Sequence, residues 1–142
     1  MKNPFGQMVG FTVRSGRRGG GKASATLDVR PELLNPHGVV HGGVLFSIAD
    51  TLMGAALYTT LAPGETCATI EIKIHFLQPV MKGKIRCSTR LVHRGNRIAV
   101  LESHISVGRV QVAQALGTFT IFAPRPAELK RAGGAKRRRL SQ

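Results

Sequence analysis

At 142 residues, with 42% hydrophobic and 20% charged side chains, the chain has the length and composition of one ordinary soluble globular domain, large enough to bury a real core. Its two cysteines, Cys67 and Cys87, sit in apolar runs without CxxC or metal-ligand spacing, the pattern of a reduced, cytoplasmic protein, and "MKNPFGQMVGFTVRS" lacks the apolar core and cleavage site of a signal peptide. The net charge of +14 is unevenly spread: seven Lys/Arg against Glu128 put +6 beyond Pro124 and leave +8 for the rest.

In chain order, residues 8–15 and 23–30 predict two short strands joined by the glycine-rich "GRRGGGK". In "PELLNPHG", Pro31 and Pro36 forbid a continuous regular element. Val44–Leu61 then predicts a helix, closed by "APGE". That segment's 18 residues reach the lower end of a membrane span, but Ser47, Asp50, Thr51, Thr59 and Thr60 weaken it and alternating strands follow directly. A core helix is the better reading.

After Gly64 the period changes to two. Ile70, Ile72, Ile74 and Phe76 alternate with Glu71, Lys73 and His75, which predicts a half-buried strand. "KIRCSTRLVHR", "RIAVLESHISV" and "VQVAQALGTFTIF" predict three more, separated by short turns that include Gly95-Asn96. Short connections imply that the last four strands form an antiparallel meander. The helix is apolar nearly all round, so a sheet must curl about it and a second subunit must cover the rest, with Gly54, Ala55 and Ala56 permitting close approach. Residues 1–123 form the expected domain. Residues 124–142 form a basic tail, expected to be disordered and without aromatic residues for stacking on nucleic-acid bases.

Within "NPHGVVHGGVLFSIAD" an Asn, an HGG and an acidic residue stand at fixed spacing: Asn35, His41, Gly42, Gly43 and Asp50. This segment, with "ATIEIKIHFLQPVMKGKI", "VHRGNRI" and "AQALGTF", resembles the hotdog-fold acyl-CoA thioesterases of the phenylacetate-degradation type over roughly residues 8–122. The resemblance implies an α+β hotdog fold, an antiparallel sheet wrapped around one long central helix. It also implies hydrolysis of an aryl- or medium-chain acyl-CoA to free acid and coenzyme A, with no cofactor and no metal. Asp50 would be the nucleophile or the general base, and Thr69 a hydroxyl that orients water; for Thr69 a plain β-branched strand residue fits equally well. A non-catalytic acyl-CoA-binding module and a hotdog dehydratase are the alternatives.

Physical chemistry bears on the same residues. Gly42 and Gly43 open a helix, where amide hydrogens lack intrahelical acceptors and a ligand can approach the backbone closely. Aimed at a thioester carbonyl, they form an oxyanion hole. Asn35 is placed to add an amide donor, and His41 to hold the loop. Gly42 and Asp50 lie eight residues apart, roughly 12 Å along a helix, so they cannot address one carbonyl within one chain. Hence a homodimer is expected, with shared active sites at its interface, and then a dimer of dimers. Coenzyme A carries three phosphate groups; Arg94 and Arg97 are the candidates to meet them, with Lys84, Arg86 and Arg90 as alternates. His37, His75, His93 and His104 show no metal spacing. Glu71 and Glu102 are read as solvated strand positions. No membrane and no nucleic acid are expected as partners.

Overall fold

Residues 2–124 are described by a computed structural model, so all but the first residue of the expected basic tail lies outside the described residues. The chain runs α1 (Pro4–Val9), β1 (Thr12–Ser15), β2 (Lys22–Asp28), a 3-10 turn (Pro31–Leu33), α2 (Gly42–Tyr58), β3 (Thr66–Phe76), β4 (Lys84–Arg94), β5 (Ile98–Val107) and β6 (Val110–Phe122). Six strands form one antiparallel sheet in the order β1-β2-β4-β5-β6-β3, and α2 packs on one face. This is the α+β hotdog arrangement expected from the sequence.

Two expectations are corrected. Residues 8 and 9 belong to α1, not to the first strand. Asn3 accepts from the Gly6 amide at 3.0 Å, Pro4 supplies a preset first-turn φ, and Gly10 ends the helix at φ +105°. These local caps outweigh the alternation of "MVGFTV". The meander also covers only β4, β5 and β6, because β3 lies on the far side of β6 as an edge strand. The linker from Leu77 to Gly83 is no tight turn. Leu77 and Gln78 donate to the Val112 carbonyl at the start of β6, Val80 is buried, and the chain crosses the end of the β5–β6 hairpin to reach β4.

The core is the inner face of the sheet closed over α2. Leu45, Ile48, Ala49, Leu52, Met53, Ala56 and Leu57 are buried against alternate strand residues such as Leu27, Ile85, Leu101 and Phe119. Close approach is built in: a Cβ on Gly117 of β6 would sit 2.4 Å from Met53 Sδ. One polar pair is tolerated because it is satisfied internally, Thr89 and Ser103 sharing a 2.6 Å hydrogen bond. Burial pushes the neighbouring Cys87 thiol up to about 12, against the lowering effect of hydrogen bonds with Thr89 and Ser103. The thiol stays protonated and inert.

At the far end of α2 the glycine-rich loop does the capping. Gly19 donates to the Thr59 carbonyl at 2.6 Å, Gly21 to Thr59 Oγ1 at 2.9 Å, and Arg18 to the Leu61 carbonyl at 3.2 Å. Carbonyls left over at a helix C-terminus so find amide and cationic partners.

The expected half-burial of β3 is not met within one chain. Ile70 and Phe76 are each 54% exposed, and a bulge between Thr69 and Glu71 breaks the simple alternation.

Candidate active site

The loop before α2 is stitched so that the helix starts at one place. Asn35 Oδ1 accepts from the amides of His37 at 2.9 Å and Val39 at 3.2 Å, an Asx turn that Gly38 completes at φ +75°. Val40 donates to the Val80 carbonyl at 2.7 Å and His41 to the Leu33 carbonyl at 2.8 Å, tying the loop to the crossing linker and to the 3-10 turn. Asn35 therefore spends its carbonyl oxygen on the loop, while its Nδ2 meets no acceptor among the described residues.

His41 is the N-cap of α2: its Nδ1 accepts from the Gly43 amide at 2.8 Å. An accepting Nδ1 carries no proton, so the neutral ring holds its hydrogen on Nε2. This cap also spends the Gly43 amide, which leaves Gly42 as the donor of the pair. Among the described residues the Gly42 amide has no protein acceptor. Gly42 lies against the Phe76 ring, where a Cβ would stand 2.9 Å from Cζ, and beside a cavity of about 320 Å3 bordered by Val40, Leu45, Leu77 and Val80. A side chain here would have to displace that ring. Glycine keeps the helix start open.

Asp50 follows eight residues later, half-buried, on the flank of α2 that faces β3. Thr69 Oγ1 donates to its Oδ1 at 2.7 Å. Cys67 lies two residues before Thr69 on β3; burial pushes its thiol up, and the Asp50 charge adds to the shift, so this thiol is not an alternative nucleophile. Within one chain, helix geometry keeps Asp50 roughly 12 Å from Gly42.

The candidate cations fare differently. Arg94 pairs with Glu65 at 2.9 Å and donates to the Gly95 carbonyl, so its guanidinium is already occupied. Arg97 is exposed and makes no ion pair among the described residues. Lys84, Arg86 and Arg90 are exposed positions on the outer face of the sheet, away from α2 and Asp50, with Lys84 paired to Asp28 and Arg90 to Glu102. Glu102 is thus no simple solvated residue. No group of three or more His, Cys, Asp or Glu could hold a metal among the described residues, and none of their helices is long and apolar enough to cross a membrane.

Sequence reasoning missed three contacts at the site: Phe76 against Gly42, the Val40–Val80 tie, and Tyr58 hydroxyl to Thr66 Oγ1 at 2.7 Å. The strand pattern marked Phe76 only as apolar, and nothing local announced the other two.

Residues 37–113, which include His41, Gly42, Asp50 and Thr69, match the thioesterase superfamily. The chain belongs to that superfamily. Over 86 residues it is 35% identical to acyl-coenzyme A thioesterase PaaI of Escherichia coli, a match covering 60% of this chain and 59% of that one. Another relative is 1,4-dihydroxy-2-naphthoyl-CoA hydrolase of E. coli, 27% identical over 101 residues and matched over 70% of this chain and 74% of its own. Among solved structures, a conserved protein of Pseudomonas aeruginosa superposes with a TM-score of 0.80 at 34% identity, covering 86% of this chain and 96% of that one. For several curated relatives, the PaaI thioesterase among them, the chain spans only 57% to 59% of their length.

Proposed function

We propose that this thioesterase-superfamily member hydrolyses an acyl-CoA thioester, and that each active site combines Gly42 of one subunit with Asp50 of another. The reading rests above all on Asp50: a half-buried carboxylate with one oxygen held by Thr69 and the other left to act, in a segment that otherwise favours apolar residues. The Gly42 amide polarises the thioester carbonyl and then holds the negative charge of the tetrahedral intermediate. Asn35 Nδ2 adds a donor, and His41 supports both by fixing the helix start. Asp50 acts through its second oxygen, either taking the proton of an attacking water that Thr69 helps to orient or adding to the carbonyl itself. In the first route the water oxygen ends in the free acid, the carbon–sulfur bond breaks, and coenzyme A leaves as a thiolate that takes up the proton Asp50 received. In the second, the carbon–sulfur bond breaks to leave an acyl anhydride on Asp50, which water hydrolyses to the free acid while its proton passes to the thiolate.

Support for a shared site comes from β3. It is an eleven-residue edge strand with exposed Ile70 and Phe76, and Phe46, Tyr58 and Phe122 add further exposed apolar surface. Long, apolar, unpaired edges call for a partner strand, and a second copy supplies one. Exposed Phe5 and Met8 on α1 offer a further contact through which dimers pair. Arg97 is the cation assigned to the phosphate groups of coenzyme A, while Arg94 serves as an ion-paired support. The two free cysteines fit a reducing, cytoplasmic setting. Both E. coli relatives are named for CoA thioesters, which supports an acyl-CoA substrate here, and one of them is named for an aryl group, which fits the aryl alternative.

The test is thiol release from a panel of aryl- and alkanoyl-CoA substrates, wild type beside Asp50→Asn and Asp50→Ala. Hydrolysis should fall by about a thousandfold or more in both variants, with substrate binding retained. Tight acyl-CoA binding without turnover in the wild type would instead identify a non-catalytic binding module.

A further inference from the structure

A concavity of about 750 Å3 opens on the outer face of the sheet and is lined by Arg14, Ser24, Lys84, Arg86, Ser88 and His104 among others. The alternation along β2 and β4 puts it on the side opposite α2: Ala23, Ala25 and Leu27, with Ile85, Cys87 and Thr89, are buried, and the residues between them face outward. It is therefore separate from the cavity at Gly42.

The sheet register assembles the lining. One transverse row reads Arg14, Ser24, Ser88 and His104 across β1, β2, β4 and β5; the next reads Thr12, Thr26, Arg86 and Ser106. No carboxylate lines the cavity. Lys84 is paired with Asp28 at 3.3 Å, whereas Arg14 and Arg86 have no carboxylate partner among the described residues. Two guanidinium groups, two strands apart and offset by one row, roughly 12 Å at the backbone, thus flank a floor of hydroxyl groups.

Forked guanidinium donors and hydroxyls suit phosphate oxygens. The volume falls within the range of small-molecule sites. No Phe, Tyr or Trp lines the cavity, and the one ring there, His104, is engaged at Nδ1 by Gln111 at 3.0 Å and at Nε2 by Glu102 at 3.5 Å, so the phosphates carry recognition. The same face of a second copy would bring like charges together. Segment 125–142, with seven cations and one acid, has the wrong sign to fill the cavity. We propose that this outer-face cavity binds the di- or triphosphate chain of a small molecule, gripped between Arg14 and Arg86.

The test is calorimetric titration of the full chain at 0.1 M salt with tripolyphosphate, with ATP and with a short RNA. Arg14→Gln/Arg86→Gln is compared with Lys2→Gln/Arg109→Gln, which removes the same charge from exposed positions outside the cavity. Tripolyphosphate and ATP should bind within about threefold of each other; the cavity pair should weaken both by about tenfold or more and the control pair by less than about twofold. Absence of saturable tripolyphosphate binding overturns the proposal. So does an equal loss in the two pairs, which would mean diffuse attraction to a cationic protein, or ATP binding more than about tenfold tighter than tripolyphosphate, which would mean the nucleoside is read. Binding of RNA without tripolyphosphate binding overturns it as well. Thermal melts of both variants establish that each remains folded.

Discussion

Thr69 Oγ1 donates to Asp50 Oδ1 at 2.7 Å, across nineteen residues of chain and from an edge strand to the middle of the central helix. The bond fixes the rotamer of the carboxylate and directs its second oxygen. Hydrogen bonds to charged groups contribute about 1.5–3 kcal/mol. Thr69→Val keeps the β-branched shape but not the donor, so kcat should fall about ten- to a hundredfold, with KM within about twofold. Thr69→Ser should retain most of the activity. Steady-state thiol-release kinetics check both; an unchanged kcat in Thr69→Val would reduce Thr69 to a strand-forming residue.

The separation of Gly42 from Asp50 leads to a complementation experiment. Gly42→Pro removes the amide hydrogen at the first helical position, where proline is otherwise well accepted, although its ring must push the exposed Phe76 side chain aside. Alone, Gly42→Pro should lose about 10²–10³ in rate, the effect of deleting one oxyanion donor. Mixed with Asp50→Ala after dissociation and reassembly, it should recover about a quarter of wild-type activity. Half the dimers are then mixed, and each has one site with intact Gly42 and Asp50. If each site were built within one chain, mixing would restore nothing.

The parts of this fold that the sequence reveals are those governed by local pattern. β4 and β6 begin and end where alternation and turn residues say they do, and α2 is displaced by only two or three residues at each end. The neighbour of β3 is not a local property. Its pairing with β6 depends on the crossing linker and on Val80 finding a buried seat, which no periodicity encodes. The site shows the same division. Gly42 at a helix start follows from spacing; the resemblance offered Thr69 only as a hydroxyl that orients water, and its hydrogen bond to Asp50 had no signal in the sequence. The capture of Arg94 by Glu65, twenty-nine residues away, had no signal in the sequence at all.

Gly117 measures how closely α2 sits on the sheet. Its Cβ position is 2.4 Å from Met53 Sδ and 3.2 Å from Ile72 Cγ1, and Met53 is fully buried. Added volume in a packed core costs about 1–3 kcal/mol. Gly117→Ala should destabilise by that amount, measured by chemical denaturation at an unchanged m-value. A second change, Met53→Val, shortens the opposing side chain and should return part of the loss. If Gly117→Ala is neutral, the helix has more room above β6 than the packing indicates.

Ile70 tests whether β3 is an interface. It is 54% exposed, beside the bulge that follows Thr69, on an edge whose outer side pairs with no other strand among the described residues. A lysine on an edge strand discourages pairing with another strand because its ammonium must be desolvated. Ile70→Lys should therefore sediment as a monomer at low micromolar concentration, where the wild type should sediment as a dimer. Its activity should fall with the dimer fraction and rise again as the protein is concentrated, because mass action restores the shared site. A monomeric variant that keeps the wild-type rate at every concentration would show that β3 is no part of the catalytic assembly, and Asp50 would then need a donor from its own chain.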